Sequence, residues 1–209
     1  MIPMIRNLVF DLGNVLFALD FSRTEDAFRK LQCTDGPFPS LDYHFSGEDL
    51  TVFDRFETGV ISAHEFREEL REIFHLRGED ALIDAAWNAL LTGPIEANTA
   101  LLPRLAVKYR IFLLSNTNEV HISHVESVCP GLLPSFEACF FSHELGIRKP
   151  GPEIFRHVLK ERSLVPLETL FIDDSGRNIE GARHVGLRVL HLDAPAALAD
   201  RLGRALGPF

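Results

Sequence analysis

The sequence is poor in cysteine, and what it has is scattered. Cys33, Cys129 and Cys139 are odd in number and widely spaced, with no CxxC pair. That pattern argues against a disulfide framework or a zinc site and fits a reducing cytosol. Long apolar runs are missing too, since none approaches the ~20 residues that a membrane helix needs. The start, Met1-Ile2-Pro3-Met4-Ile5-Arg6, has neither the basic stretch nor the long apolar core of a signal peptide. No membrane partner is expected. Excess positive charge is also absent. A formal charge of −9 over 209 residues disfavours nucleic acid, because phosphate backbones attract basic faces. It leaves room for a phosphorylated metabolite, since a metal ion and one lysine can reverse the local field. There is no internal repeat and no low-complexity tract. The nine histidines form no HxH or HExxH pattern, so surface or structural roles are expected for most of them. His121 and His124, at helical i, i+3 spacing, are expected on the surface.

What is present is ordinary globular composition, 46% hydrophobic and 24% charged. Five short apolar runs read as buried parallel strands: 8–10, 111–114, 138–141, 170–172 and 189–192. Their residues are continuous rather than alternating, as in sheets covered on both faces. Amphipathic stretches at 119–128, 152–162 and 178–185 separate the last four, and 196–206 closes the chain. Pro152 suits a first helical turn and Gly186 a helix stop. The alternation predicts an α/β fold with a doubly wound, Rossmann-like parallel sheet.

The interval from Phe17 to Asn98 differs. It shows no convincing strand and predicts helices near 23–31, 49–56, 63–74 and 80–91, with Ser62 and Glu65 as a capping box. Residues 33–47 carry Gly36, Pro37 and Pro39 among aromatics and read as a loop. A connection of ~80 residues is far beyond a crossover loop. It predicts an inserted helical cap over 17–98, with the core formed by 1–16 and 99–209. The phenylalanines at 53, 56, 66 and 74 and Trp87 are expected to be packing residues of that cap.

The chemistry-bearing residues sit where strands run out. Asp11 follows the first apolar run, and Asp173 and Asp174 follow the fourth. Strand ends beside glycine-containing turns are where open α/β sheets build sites. Three carboxylates gathered there repel unless a cation sits among them.

Four motifs in order resemble the haloacid dehalogenase-like (HAD) hydrolase superfamily: Phe10-Asp11-Leu12-Gly13-Asn14-Val15-Leu16, Leu113-Leu114-Ser115-Asn116-Thr117-Asn118, Gly146-Ile147-Arg148-Lys149-Pro150, and the stretch from Phe171 through Asp173-Asp174-Ser175-Gly176 to Ala182. The insertion resembles that family's C1-type helical cap. The wording of the first two motifs looks closest to a bacterial branch that includes an α-D-glucose-1-phosphate phosphatase. The resemblance implies a phosphatase acting on a small-molecule phosphomonoester through an aspartyl-phosphate intermediate. Asp11 is then the nucleophile, with catalytic help from Ser115 and Lys149. Ser115, Asn116 (through its amide or backbone N–H) and Lys149 bind the phosphoryl group. Mg²⁺ is the implied cofactor, held by Asp11, the Gly13 backbone carbonyl and Asp174, with Asp173 acting directly or through water. Asn178 is expected to position Asp174 or a metal-bound water.

Gly13 departs from the family pattern, in which a second aspartate protonates the leaving oxygen and later activates water. A general acid or base typically contributes ~10²–10⁴-fold. The absence suits a substrate with a good leaving group, such as a sugar 1-phosphate, or a proton donor elsewhere, for which Asp20, His44 and Glu57 are candidates. It also suits two alternatives: a 2-haloacid dehalogenase using the same aspartate without a metal, and a catalytically degenerate binding protein. The intact Asp173-Asp174 pair favours the metal-dependent phosphatase.

Overall fold

The computed structural model describes residues 4–38, 41 and 51–207. In chain order, β1 (Asn7–Phe10) and β2 (Phe17–Leu19) precede α1 (Phe21–Leu31), α2 (Val52–Glu57), α3 (Ala63–Phe74) and α4 (Asp80–Asn88). Then come β3 (Leu91–Pro94), α5 (Glu96–Thr99), α6 (Leu102–Ala106), β4 (Arg110–Ser115), α7 (Glu119–Val128), β5 (Ala138–Phe141) and α8 (Ser142–Leu145). The chain ends with α9 (Pro152–Glu161), β6 (Thr169–Asp173), α10 (Gly176–His184), β7 (Arg188–His191) and α11 (Leu198–Leu206).

The main sheet is parallel, in the order β5-β4-β1-β6-β7. Val9 of β1 sits opposite Phe112 of β4 and Phe171 of β6. Successive side chains alternate between faces, so Leu8 and Phe10 pack with Leu102, Val125 and Leu202 on one side. Val9, Phe112 and Phe171 pack with Ile154, Phe155 and Ile179 on the other. Both faces are therefore covered, which is why these strands read as unbroken apolar runs. After β1 the chain builds outward through β4 and β5, then returns to add β6 and β7 on the opposite side. The order reverses at β1, and the crevice at its carboxyl end is the place where such sheets bind ligands. Gly186, at φ +86°, ends α10 as expected, and Pro152 begins α9.

The helices α1 to α4 form an apolar cluster of their own, built on Phe28, Phe53, Phe66, Leu70, Phe74 and Trp87. Its rings are in direct contact, with Phe56 and Phe66 stacked at 4.1 Å between centroids and Phe53 and Trp87 at 5.2 Å. The expected capping box at Ser62 and Glu65 starts α3, and a second joins Thr51 to Asp54 at the start of α2. The expected helix over 49–56 thus begins at Val52, and its first two positions lie outside the described residues, as does most of the expected 33–47 loop.

The expectation of no strand between Phe17 and Asn98 is wrong. β2 and β3 pair antiparallel, Phe17 opposite Pro94 and Ala18 opposite Gly93. Strands of three and four residues are too short to show alternation, and Gly93 and Pro94 are residues that strands disfavour. The pair forms where the chain enters and leaves the helical segment, and it shortens the helix expected over 80–91 to end at Asn88. No helix of the described residues is long and apolar enough to cross a membrane. The three cysteines are free thiols.

Candidate active site

Three strand ends meet at the crevice. Asp11 follows β1, and its backbone N–H donates to Ile172 of β6 at 2.8 Å. Ser115 closes β4 and Asp173 closes β6. Into this group reaches Lys149, from the turn between α8 and α9, with its side chain 2% exposed. Its ammonium donates to Asp11 Oδ1 at 2.6 Å, Asp173 Oδ2 at 2.7 Å and the Leu114 carbonyl at 2.9 Å. An ammonium has three protons, so every donor is used. Burial alone would lower the Lys149 pKa, but the Asp11 and Asp173 carboxylates outweigh it and hold it above its ordinary value. Burial likewise pushes the Asp11 carboxyl up to about 7, against the pull of Lys149 and with the repulsion of Asp173 and Asp174 behind it.

Asp11, Asp173 and Asp174 each offer an oxygen within 4.8 Å of the others, a potential metal cluster among the described residues. Three carboxylates against one ammonium leave a local excess of two negative charges, which a divalent cation would neutralise. The donors are hard oxygens, the set that Mg²⁺ takes rather than a soft metal. The carboxylates are not equivalent. Asp173 Oδ1 accepts from the Ser175 N–H at 2.8 Å and from Asn178 at 3.1 Å, while Oδ2 takes Lys149 and Asn178. Asp174 is held differently, by Asn14 Nδ2 at 3.0 Å. Asn14 adopts a left-handed backbone, φ 50°, and also accepts from the Leu19 N–H at 3.2 Å. Burial raises the Asp174 carboxyl pKa, and the Asn14 bond opposes this.

One expected partnership is corrected, and Asn116 has a further one. Asn178 grips Asp173 and not Asp174; the residue that positions Asp174 is Asn14, to which the sequence assigned no role. Its signal was present, because asparagine tolerates the left-handed conformation better than most residues. The Asn116 amide is partly committed within the protein. Oδ1 accepts from the Lys149 N–H and Nδ2 donates to the Lys149 carbonyl, each at 2.9 Å, so the amide clamps the Lys149 backbone. The second Nδ2 proton and the backbone N–H of Asn116 remain for a ligand. Ser115 is 3% exposed at the cavity floor.

The cavity itself, of about 390 Å³, lies between the sheet edge and the helices. Asp11, Gly13, Ser115, Asn116, Lys149 and Asp174 line one side. A Cβ built on Gly13 would sit 2.7 Å from Leu19 Cδ1 and 3.9 Å from Asp11 Oδ2. A leucine methyl from β2 therefore occupies the space beside this glycine. Of the three proton-donor candidates, Asp20 is an exposed helix cap accepting from Ser22 at 2.6 Å, and His44 lies outside the described residues. Glu57 lines the cavity. Burial raises its carboxyl pKa, opposed by Arg148, which it meets at 3.1 Å. Arg148 also pairs with Asp54 of α2.

His121 is not on the surface. It is 8% exposed and lines the cavity. The i, i+3 spacing with His124 did not reveal this, because the aromatic ring that covers it, Trp87, belongs to α4. The expected packing phenylalanines are buried, and Phe53 and Trp87 line the cavity as well.

The family model for haloacid dehalogenase-like hydrolases matches residues 5–186. The chain belongs to this family. A D-ribitol-5-phosphate phosphatase of Bacteroides thetaiotaomicron is 33% identical over 191 residues, covering 88% of this chain and 89% of its own. The crystal structure of a HAD family enzyme of the same organism, in complex with magnesium and inorganic phosphate, aligns with a TM-score of 0.78 at 35% identity, covering 90% of this chain and 93% of that one. An L-2-haloacid dehalogenase of Xanthobacter autotrophicus aligns at 0.62 with 23% identity, covering 99% of this chain and 85% of that one, and shares the fold.

Proposed function

We propose that this hydrolase is a Mg²⁺-dependent phosphatase of small phosphorylated sugars or polyols. The observation that carries the reading is the Lys149 ammonium bonded to both Asp11 and Asp173 beside Asp174 at the sheet switch point. The Bacteroides phosphatase and the magnesium–phosphate complex support it from outside the chain.

Asp11, the Gly13 carbonyl and Asp174 would hold Mg²⁺, with Asp173 acting through water because both its oxygens already accept protein donors. Bound there, the ion would supply charge neutralisation and orientation for phosphoryl oxygens. The rest falls to the chain's own residues. Lys149 fixes one oxygen of Asp11 and leaves the other to attack phosphorus. The Asp11–phosphorus bond forms, the ester P–O bond breaks, and the leaving oxygen takes the electron pair and a proton. Ser115 and the Asn116 N–H donate to phosphoryl oxygens. Water then attacks phosphorus, the aspartyl bond breaks, and Asp11 returns to carboxylate. Glu57, the described candidate that lines the cavity, gives the first proton and takes one from that water. Residues 17–98 act as a cap over a core of 1–16 and 99–209, excluding bulk water and selecting the ester.

The test is phosphate release from sugar 1-phosphates, polyol phosphates and aryl phosphates, with Mg²⁺ and with EDTA. Metal-dependent release with a preference for small hydroxylated esters is expected. Release of halide from 2-haloacids with no phosphate from any ester would overturn the reading.

A further inference from the structure

The apolar wall of the cavity is made by Phe21, Phe53 and Trp87 of the helices and by Leu19, Leu90 and Leu91 at the β2–β3 pair. A polar group set in such a wall needs a partner, or its burial costs about 1–3 kcal/mol. His121 is such a group. Its backbone is fixed at the start of α7, where its N–H donates to the Asn118 cap at 3.0 Å. Its ring stacks on Trp87 at 4.7 Å and 18°. Nδ1 lies 2.8 Å from Asn88 Oδ1; with the amide placed this way round, Oδ1 accepts and Nδ1 carries the proton. Burial, with His124 adding to it, pushes the ring's pKa down to about 3, so it is neutral at physiological pH. The other nitrogen, Nε2, then carries a lone pair and no proton, and no further described residue hydrogen-bonds the ring.

We propose that His121 is a specificity-determining residue whose neutral Nε2 accepts a hydrogen bond from a hydroxyl of the phosphorylated substrate. This rests on the phosphatase reading and narrows its substrate class. A lone pair in an apolar wall repels a second phosphate or a carboxylate and leaves a purely alkyl tail without the bond. It selects a neutral tail bearing hydroxyls. Asn88 acts as a positioning residue, because its bond sets the tautomer. A site built to bond a hydroxyl discriminates strongly against the analogue lacking it, since the buried acceptor is then left unpaired.

The probes are D-ribitol 5-phosphate and n-pentyl phosphate, which share chain length and differ in hydroxyls. The quantity read is the ratio of their kcat/KM values. In His121→Phe, which keeps a ring against Trp87, that ratio falls roughly 10- to 100-fold, mainly through KM for the polyol ester. His121→Gln, which keeps an acceptor, recovers part of the ratio and serves if the phenylalanine variant does not fold. The ratio stays flat between pH 5 and 9, as a neutral ring requires. A ratio unchanged within about twofold in both variants would overturn the proposal, whatever the absolute rates. Trp87 is the single tryptophan of the chain, so its fluorescence reports cavity occupancy independently of turnover. In Asp11→Asn, ribitol 5-phosphate binds more tightly than pentyl phosphate, and His121→Phe erases the difference. If that preference holds while no ester is hydrolysed by the unmutated protein, the phosphatase reading falls and the hydroxyl recognition stands. If neither ester is turned over nor distinguished in binding, both fall.

Discussion

At the sheet edge, Asp11, Lys149, Asp173 and Asp174 come from two strand ends and one turn; Lys149 ties Asp11 to Asp173, and Asn14 holds Asp174. Across the cavity, the helices and the β2–β3 pair present mostly aromatic and aliphatic groups, with His121, Glu57 and Asp54 as polar features and Arg148, from the turn that carries Lys149, paired to the two carboxylates. The first wall is charge-dense, and its geometry is set by β1, β4 and β6 pairing in register. The second is set by ring packing between helices. In the reading proposed here, the rigid ionic wall performs phosphoryl transfer and the packed wall chooses what is transferred. Substitutions on the two sides should therefore separate rate from selectivity and from stability.

The largest effect is expected from Asp11→Asn. It removes the proposed nucleophile while nearly preserving shape, and phosphate release should fall by ~10⁴-fold or more, with the melting temperature little lowered. An active variant would mean that the ionic wall does not supply the attacking atom. Next is Glu57→Gln, which should cost about 10²–10³-fold, most for esters with poor leaving groups. Adding Gly13→Asp together with Leu19→Ala, to clear the methyl 2.7 Å from the new Cβ, should restore part of the loss. A uniform loss across a leaving-group series, with no restoration, would remove Glu57 from proton transfer. A third effect belongs to the packed wall. Phe66→Ala leaves a void beneath Phe56 and Trp87 and should cost about 3–5 kcal/mol in denaturant unfolding. Turnover per folded molecule should change only a few-fold.

The smallest effect concerns acid stability. His121 is neutral in the fold with a pKa of about 3, whereas an unfolded histidine titrates near 6.5. Below 6.5 the unfolded chain binds the extra proton, so this contribution is complete above that pH and is lost as pH falls toward 3. The drop in melting temperature from pH 7 to pH 5 should accordingly be smaller in His121→Phe than in the unmutated chain. An equal or larger drop would mean that the ring is not held neutral.

The five core strands were legible because burial on both faces leaves an unbroken apolar signature, as in Leu8-Val9-Phe10 and Leu170-Phe171-Ile172. Three of the four site motifs lie at the end of such a run, and the fourth, with Lys149, was legible only through its order among them in the family resemblance. What escaped depends on contacts between distant segments. β2 and β3 are stabilised by each other across more than 70 residues and carry no pattern of their own. Whether Asn178 meets Asp173 or Asp174 follows from how α10 leaves β6, not from spacing. Asn116 is committed to the Lys149 backbone by the turn before α9. His121 is buried by a ring that lies 34 positions earlier in sequence.

The central claim is that Asp11 attacks phosphorus, and it is tested most directly by trapping the intermediate. The enzyme would be mixed with Mg²⁺ and its best phosphate ester, quenched in acid during turnover, digested, and the peptide containing Asp11 weighed. The account predicts that this peptide gains the mass of one phosphoryl group on Asp11, and that EDTA or Asp11→Asn abolishes the gain. Steady phosphate release with that peptide unmodified, or with the phosphoryl group on another residue, would contradict it.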